Sequence, residues 1–551
     1  MARLLIWHGY LLGGTGSNIY AANVARAWRD AGHEVVLMCQ EAHPETLPFV
    51  DEVFDMRADT EIAHVVTDAA PSEAGGWCRV VRTDIGSLLP VYLVDQYERF
   101  EQVKRFVDCT ENELSLYADR YHTTMQAVLE RWPVEGALLN HVVMGPPVLR
   151  SALDAARVPY SVKIHGSELE YCIADDERFI APAREGLVGA VRVLAGSDHI
   201  ARRVCELLGE ECCGDRIEIV PPGVDLQLFV PTITGTDRQK CHQQLLTSLK
   251  RQIDVRPGRD LDAENRMQIS LADSDLVSSL AGLEAFYDER GTDTESTHGI
   301  EGIDPLTSGP IVTYVGKMIR QKGVHLLIAA MPLVVLRVPD VRCVLVGFGK
   351  LRETLGALVA ALSGNERAVV EQLIARGLEL DGPPQAMTHL EQFFRDLHDA
   401  GDLDSYYEAA TALDHRVTWV GQVDHSVLSK LWPLSTVSVV PSIAPEAFGM
   451  VSAEAAACGS LPLVAHHSGL ADVADAIADD YPEPLQHLVS FPTGSSTAVR
   501  DLADRIAELC LLPAAQRSVL TASARATVER EWSWNSIAER IADPFLAARQ
   551  T

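Results

Sequence analysis

The stretch "PSIAPEAFGMVSAEAAACGSLPLVA", residues 441–465, sets Glu446 in a proline-punctuated loop and Glu454 eight residues later among alanines. A carboxylate offers two acceptor oxygens, which match the paired hydroxyls of a sugar or a ribose. The apolar run "TVSVVPS" (436–442) reads as a strand that ends just before Glu446, and a helix is expected to start near "FGMVSAEAAAC". Amides of a first helical turn, here around Phe448, Gly449, Met450 and Val451, lack intrahelical acceptors and carry the positive end of the helix dipole. A phosphate suits that position. One glutamate could then hold a hexose, the helix start a diphosphate and the other glutamate a ribose. The plainer alternative is a Glu454 that faces solvent from a packed alanine helix.

Three cations lie within six residues in "IVTYVGKMIRQKGVHLLIAA": Lys317, Arg320 and Lys322 follow a predicted strand. Single surface lysines need no explanation, but this cluster at a strand end suits a multiply charged phosphate. In "VKIHGSELEY", His165 follows another predicted strand directly, with Ser167 and Glu168 beside it. The C-terminal edge of an open α/β sheet is where ligands bind. A structural histidine is the competing reading. The chain opens with "HGYLLGGTGSNIYAANVA", where Gly13, Gly14 and Gly16 precede a helix. They serve either close approach to an anion or a tight strand–helix turn. The spacing is neither a dinucleotide-binding fingerprint nor a Walker-type loop.

These residues need a scaffold of strands whose ends line up. Short apolar runs alternate with amphipathic stretches, the pattern of parallel α/β domains. Strands are predicted at 4–7, 34–39, 136–144, 160–164, 191–196 and 217–223, and again at 311–316, 341–349, 416–421, 436–442, 461–465 and 487–491. The helix between the first two ends at Gly32, a candidate C-cap. Two doubly wound, Rossmann-like domains facing a central cleft follow, interrupted by a polar segment at 232–308 and a helical one at 350–414.

At 551 residues the chain exceeds one ordinary core. A formal net charge of −30 disfavours nucleic acid and anionic lipid as partners. No apolar run has the length of a membrane span. The N-terminal run is too short for a signal peptide and reads as a first strand. Cys205, Cys212, Cys213 and Cys241-His242 fit no common zinc spacing. Reduced thiols and a cytoplasmic, soluble protein are the expectation.

With these pieces in order, the chain resembles the retaining glycosyltransferases of family 4, which have the GT-B fold. "VGKMIRQKG", "LVGFGKLRETL" and the E-x7-E element of Glu446 and Glu454 carry the resemblance in the second half, followed by "HSGLADV". "GTGSNIYAANVARAWRDAGHEV", "AGSDHIARRV" and "IVPPGVDLQLF" carry it in the first, and "EWSWNSIAERI" resembles the family's C-terminal helix.

The resemblance implies an acceptor-side domain over 1–231, an inter-domain insertion at 232–308, a donor domain over 309–535 and a terminal helix, 536–551, returning toward the first domain. It implies that Glu454 binds the ribose of a UDP-, GDP- or ADP-sugar. Glu446 contacts the transferred sugar, and the backbone from Phe448 to Val451 meets phosphates or sugar hydroxyls. Lys317 and Lys322 neutralise the leaving diphosphate, His165 lies by the donor sugar across the cleft, and Gly14 and Gly16 lie near phosphates and acceptor. Glu446, His165 and Lys322 are the expected catalytic set, with no cofactor and no metal. Position 317 is Lys where many members have Arg, and Ala447 replaces a frequent Gly. A hydroxyl acceptor, expected to be soluble, completes the reaction. A glycogen- or trehalose-type synthase or phosphorylase, and a non-catalytic sugar-nucleotide-binding protein on the same fold, are the competing readings. The first loop of this chain lacks the synthase signature K-x-G-G-L.

Overall fold

In a computed structural model of the chain, the described residues are 1–57, 60–92, 97, 99–232, 234–255, 291–293, 296–349, 351–376, 386–494 and 496–547. The expected insertions at 232–308 and 350–414 therefore lie partly outside them. The chain divides into two compact units, residues 1–223 with 532–551, and residues 224–531.

The first unit is built on β1 (Arg3–Trp7), β2 (Glu34–Met38), β3 (Glu52–Arg57), β4 (Thr60–Val66), β5 (Trp77–Thr83), β8 (Gly136–Asn140), β9 (Tyr160–Lys163), β10 (Arg192–Ala195) and β11 (Ile217–Ile219). Among the described residues they form one sheet in the order β11-β10-β9-β8-β1-β2-β5-β3-β4. All neighbours pair in parallel except β3 with β4. A small separate pair joins β6 (Leu88–Val91) to β7 (Gln102–Arg105). Leu4, Leu5, Ile6 and Leu138 are fully buried, as expected of central parallel strands covered on both faces.

The helix Gly16–Asp30 covers one face, and Gly32 follows it with φ +88°. The C-terminal helix Trp534–Ala547 packs beside it, where Trp28 Nε1 donates to Ala538 O at 2.8 Å. Tyr20 and Trp534 meet edge to face with ring centroids 5.5 Å apart.

The second unit holds a fully parallel six-stranded sheet. Its strands are β12 (Ile311–Val315), β13 (Arg342–Val346), β14 (Val417–Gly421), β15 (Val437–Val440), β16 (Leu461–Ala465) and β17 (Ser490–Phe491), in the order β14-β13-β12-β15-β16-β17. Consecutive strands step outward from β12 in one direction and from β15 in the other. The switch between β12 and β15 is the point where such sheets open to ligands. The helix Gly235–Val255 belongs to this unit, and helices at Arg352–Ser363, Arg367–Arg376, Thr388–Ala400 and Leu403–Ala410 fill much of the second insertion.

Four strand expectations need correction: 217–223 is strand only at Ile217–Ile219 and 341–349 only at Arg342–Val346. The run 136–144 leaves the sheet after Asn140, because His141 adopts φ +68°. The run 487–491 is strand only at Ser490–Phe491, and Glu483–Leu488 winds into a tight helical turn instead. Among the described residues no helix is long and apolar enough to cross a membrane.

Candidate active site

In the second unit the loops that leave β12, β15 and β16, three adjacent strands, carry the polar side chains. After β12 the chain makes a single turn at Arg320–Lys322 and reverses at Gly323, whose φ is +67°. A Cβ at Gly323 would lie 1.8 Å from Pro441 O, so only glycine lets this loop touch the end of β15. The amide of Ile443 donates to Gln321 O at 2.8 Å and locks the two loops together.

The result is a direct contact: Lys322 Nζ lies 2.5 Å from Glu446 Oε1. Ser442 Oγ donates to the same oxygen at 2.5 Å. The loop after β16 fixes the backbone of Glu446. Its amide donates to Ser468 Oγ at 2.8 Å, and its carbonyl accepts from Gly469 N at 3.0 Å. His467 closes the ring, with Nε2 2.7 Å from Ser442 O and Nδ1 3.0 Å from Ser468 Oγ. Glu446 is held from three sides while remaining 18% exposed, so its carboxylate is oriented and still reachable.

The expected helix runs from Met450 to Ala457, with Gly449 as N-cap at φ +114°. Its hydrogen bonding begins with Ser452 N to Gly449 O. The amides of Met450 and Val451 have no backbone acceptor among the described residues, which keeps the anion-binding reading of this turn intact. Phe448 is buried beneath it. At the other end Arg525 donates to Ala457 O and to Phe229 O, placing a cation at the negative pole.

Glu454 does not face solvent: it is 4% exposed, and its Oε1 lies 3.3 Å from His425 Nε2. Lys317 is exposed and has no ion-pair partner among the described residues, while Tyr314 Oη donates to its carbonyl at 2.8 Å. Arg320, between the two lysines in sequence, is tied to the backbone of residue 386, its guanidinium donating to Ala386 O at 2.9 Å.

In the first unit β9, β8 and β1 are neighbours, and each is followed within two residues by a histidine: His165, His141 and His8. The His141 and His165 rings lie 4.6 Å apart, and His8 stacks on His141 at 5.7 Å. Glu168 is fully buried and binds both His141 Nδ1, at 3.1 Å, and the amide of His165, at 2.9 Å. His165 Nε2 lies 2.8 Å from Asn140 Oδ1, while Asn140 Nδ2 donates to Trp7 O at 3.2 Å. The amide orientation makes Oδ1 the acceptor, so His165 carries its proton on Nε2 and presents an Nδ1 lone pair.

Burial, reinforced by His141, Lys163 and His8, holds His165 well below the ordinary histidine value. The imidazole is therefore neutral and acts as a hydrogen-bonding group. Burial, together with His141, lowers His8 to about 3. Burial alone would raise Glu168, but the His141 charge and hydrogen bond and the His165 amide bring it below the usual carboxylate value.

The glycine loop is tied to this cluster. Asn18 receives His8 Nε2 at 2.8 Å and donates to Gly13 O at 2.6 Å. Gly14 has φ +89° with open space where a Cβ would be, and Gly16 begins the first helix. Sequence reasoning did not assign His8, His141, Asn18, Asn140, Ser442, His467, Ser468 or His425. A usable signal was present in "IWH", "LLNH" and "VKIH", where a histidine follows each of three apolar runs.

Two family models match the chain. The one described as Glycosyl transferases group 1 matches residues 385–510, and the Glycosyl transferase 4-like domain matches residues 15–223. Together they take in more than half of the sequence. The chain belongs to the family-4-like glycosyltransferases.

Solved structures with the same GT-B fold resemble this glycosyltransferase over its length. Sucrose-phosphate synthase from Thermosynechococcus elongatus is 17% identical with a TM-score of 0.54, covering 100% of both chains. Anabaena HepE, solved in complex with UDP and glucose, is 14% identical with a TM-score of 0.52, covering 99% of this chain and 100% of its own. A glycosyltransferase from Rickettsia africae is 13% identical with a TM-score of 0.53, covering 100% of this chain and 99% of its own. At such identities the likeness speaks for the fold alone. No curated protein matches the glycosyltransferase in sequence. The family match in the second unit takes in Glu446 and Glu454, and Lys317 and Lys322 lie ahead of it.

Proposed function

We propose that the protein is a retaining glycosyltransferase that moves a sugar from a nucleotide-sugar donor to a hydroxyl acceptor without a metal ion. The observation that carries this reading is the Lys322–Glu446 contact at the switch between β12 and β15, beside a helix start with open amides. HepE, on the same fold, was solved with UDP-glucose, which favours a nucleotide sugar here as well.

In the proposed reaction the bond between the anomeric carbon and the diphosphate oxygen breaks first. Negative charge grows on the leaving group, and Lys322, Lys317 and the amides of Met450 and Val451 offset it. The acceptor hydroxyl attacks from the face the diphosphate leaves, and its proton passes to the departing phosphate oxygen. Glu446 orients the sugar and stabilises the positive charge that develops on the ring. Glu454 receives the ribose. In the first unit His165, a neutral hydrogen-bonding group, and the Gly14–Gly16 loop are assigned to substrate contacts. The cytoplasm is the expected compartment.

Release of nucleoside diphosphate from UDP-, GDP- and ADP-sugars tests this reading. Lys322→Ala and Glu446→Ala should each lower the rate by about 10²- to 10³-fold, the size of effect seen when one preorganised charge-stabilising group is lost. The rate should be unchanged by EDTA. Loss of activity in EDTA with recovery on Mn²⁺ addition would sink the metal-free step, and wild-type rates in both variants would sink the site.

A further inference from the structure

The carboxylate assigned to the ribose is already occupied. His425 begins the helix His425–Leu431 just beyond β14, after the N-cap Asp424. Its Nε2 lies 3.3 Å from Glu454 Oε1, and its side chain is 38% exposed against 5% for Glu454. The imidazole is thus the outer group of the pair. The Phe229 ring stands edge-on to it at 5.9 Å.

A ribose presents two vicinal hydroxyls, and the matching arrangement on a carboxylate uses both oxygens. With His425 on Oε1, only Oε2 keeps both of its acceptor sites. Resting on the reading of Glu454 as the ribose ligand, we propose that His425 is a gate on nucleotide binding: it covers the oxygen one ribose hydroxyl must reach, and swings away as the nucleotide enters. The carboxylate is buried and has little freedom to turn. The imidazole is partly exposed and can leave.

The charges around the pair fix the direction of its response to pH. Asp424 and Asp225 act on His425 alongside Glu454, and Arg525, Lys430 and Cys241 act on Cys458, which neighbours Glu454. Burial disfavours the imidazolium, but the charge and hydrogen bond of Glu454, with the two aspartates, outweigh it and raise His425 above the ordinary histidine value. The gate is held hardest in acid and loosens as the proton leaves.

Calorimetric titration with UDP, GDP and ADP near pH 6 and pH 8 tests this. For the nucleotide that binds tightest, wild type should gain about three- to tenfold in affinity between the two conditions, beyond any gain in His425→Ala. His425→Ala and His425→Gln should bind more tightly than wild type at the lower pH. Titration of the nucleotide's own phosphate affects all forms alike and cancels in that comparison. The 2′-deoxy counterpart, with one hydroxyl to place, should respond less to His425→Ala. Equal pH responses in wild type and variants, or weaker binding by both variants, would overturn the gate while leaving the donor site standing. Binding of none of the three nucleotides, by wild type or variants, would overturn the ribose reading together with the gate.

Discussion

Glu168 joins two histidines with one buried carboxylate, and its surroundings make the first unit sensitive to acid. Its folded value is depressed, so its stabilisation is present above the unfolded carboxylate value and is lost as pH falls through the folded one. His8 acts in the same sense over a higher window. The unfolded chain binds a proton at His8 below about 6.5, whereas the folded imidazole stays neutral down to about 3. Stability should therefore fall on acidification from about pH 6.5, with His165 adding to it. Thermal melts between pH 7 and pH 4 should show a falling Tm, with a shallower slope in His8→Gln; identical slopes would contradict this account. His425 has the opposite sign, since its raised value gives stabilisation that is complete below the unfolded value and lost as pH rises. At this scale Glu446 and Glu454 were legible because one motif holds both. The histidine cluster was not, because β1 and β8 become neighbours only through the fold.

Among the elements, the helix Met450–Ala457 depends on its N-cap. Gly449 has φ +114°, and a Cβ there would lie 2.5 Å from Leu470 Cδ2. Gly449→Ala should destabilise the unit by about 1–3 kcal/mol, the range for a non-glycine residue forced into such a backbone conformation. It should also displace the amides of Met450 and Val451. Urea melts give the first effect, and nucleoside diphosphate release should drop further than stability alone explains. A variant with wild-type turnover would remove the helix start from the site. The strands of the second sheet were readable because each is a short apolar run between turn residues. β3 to β7 were not read. Every residue of β4 is exposed, so its pattern carries no core face. The helix Glu111–Arg131 was missed although Thr110 and Glu113 form a capping box at its start. A start signal is weak evidence until the apolar face behind it is recognised.

For the whole molecule, two mainly parallel sheets each bring reactive side chains to the strand ends at a switch in strand order. The second unit offers an oriented glutamate, a lysine 2.5 Å away and open amides; the first offers a neutral histidine set in a buried network. That two α/β units would form was legible, because apolar runs and helices alternate along most of the chain. The polar connections were not, because surface loops carry little of the periodicity from which elements are read. Against a formal charge of −30, Lys322 and Lys317 are the cations that the proposed mechanism sets against a diphosphate.

The central claim is transfer with retention at that site, and proton NMR of the first sugar product formed from an α-linked nucleotide sugar measures it most directly. The account predicts that the product forms as the α-anomer, at a rate that collapses in both Glu446→Ala and Lys322→Ala. A β-anomer formed first, or an α-product made at wild-type rate by both variants, would contradict it.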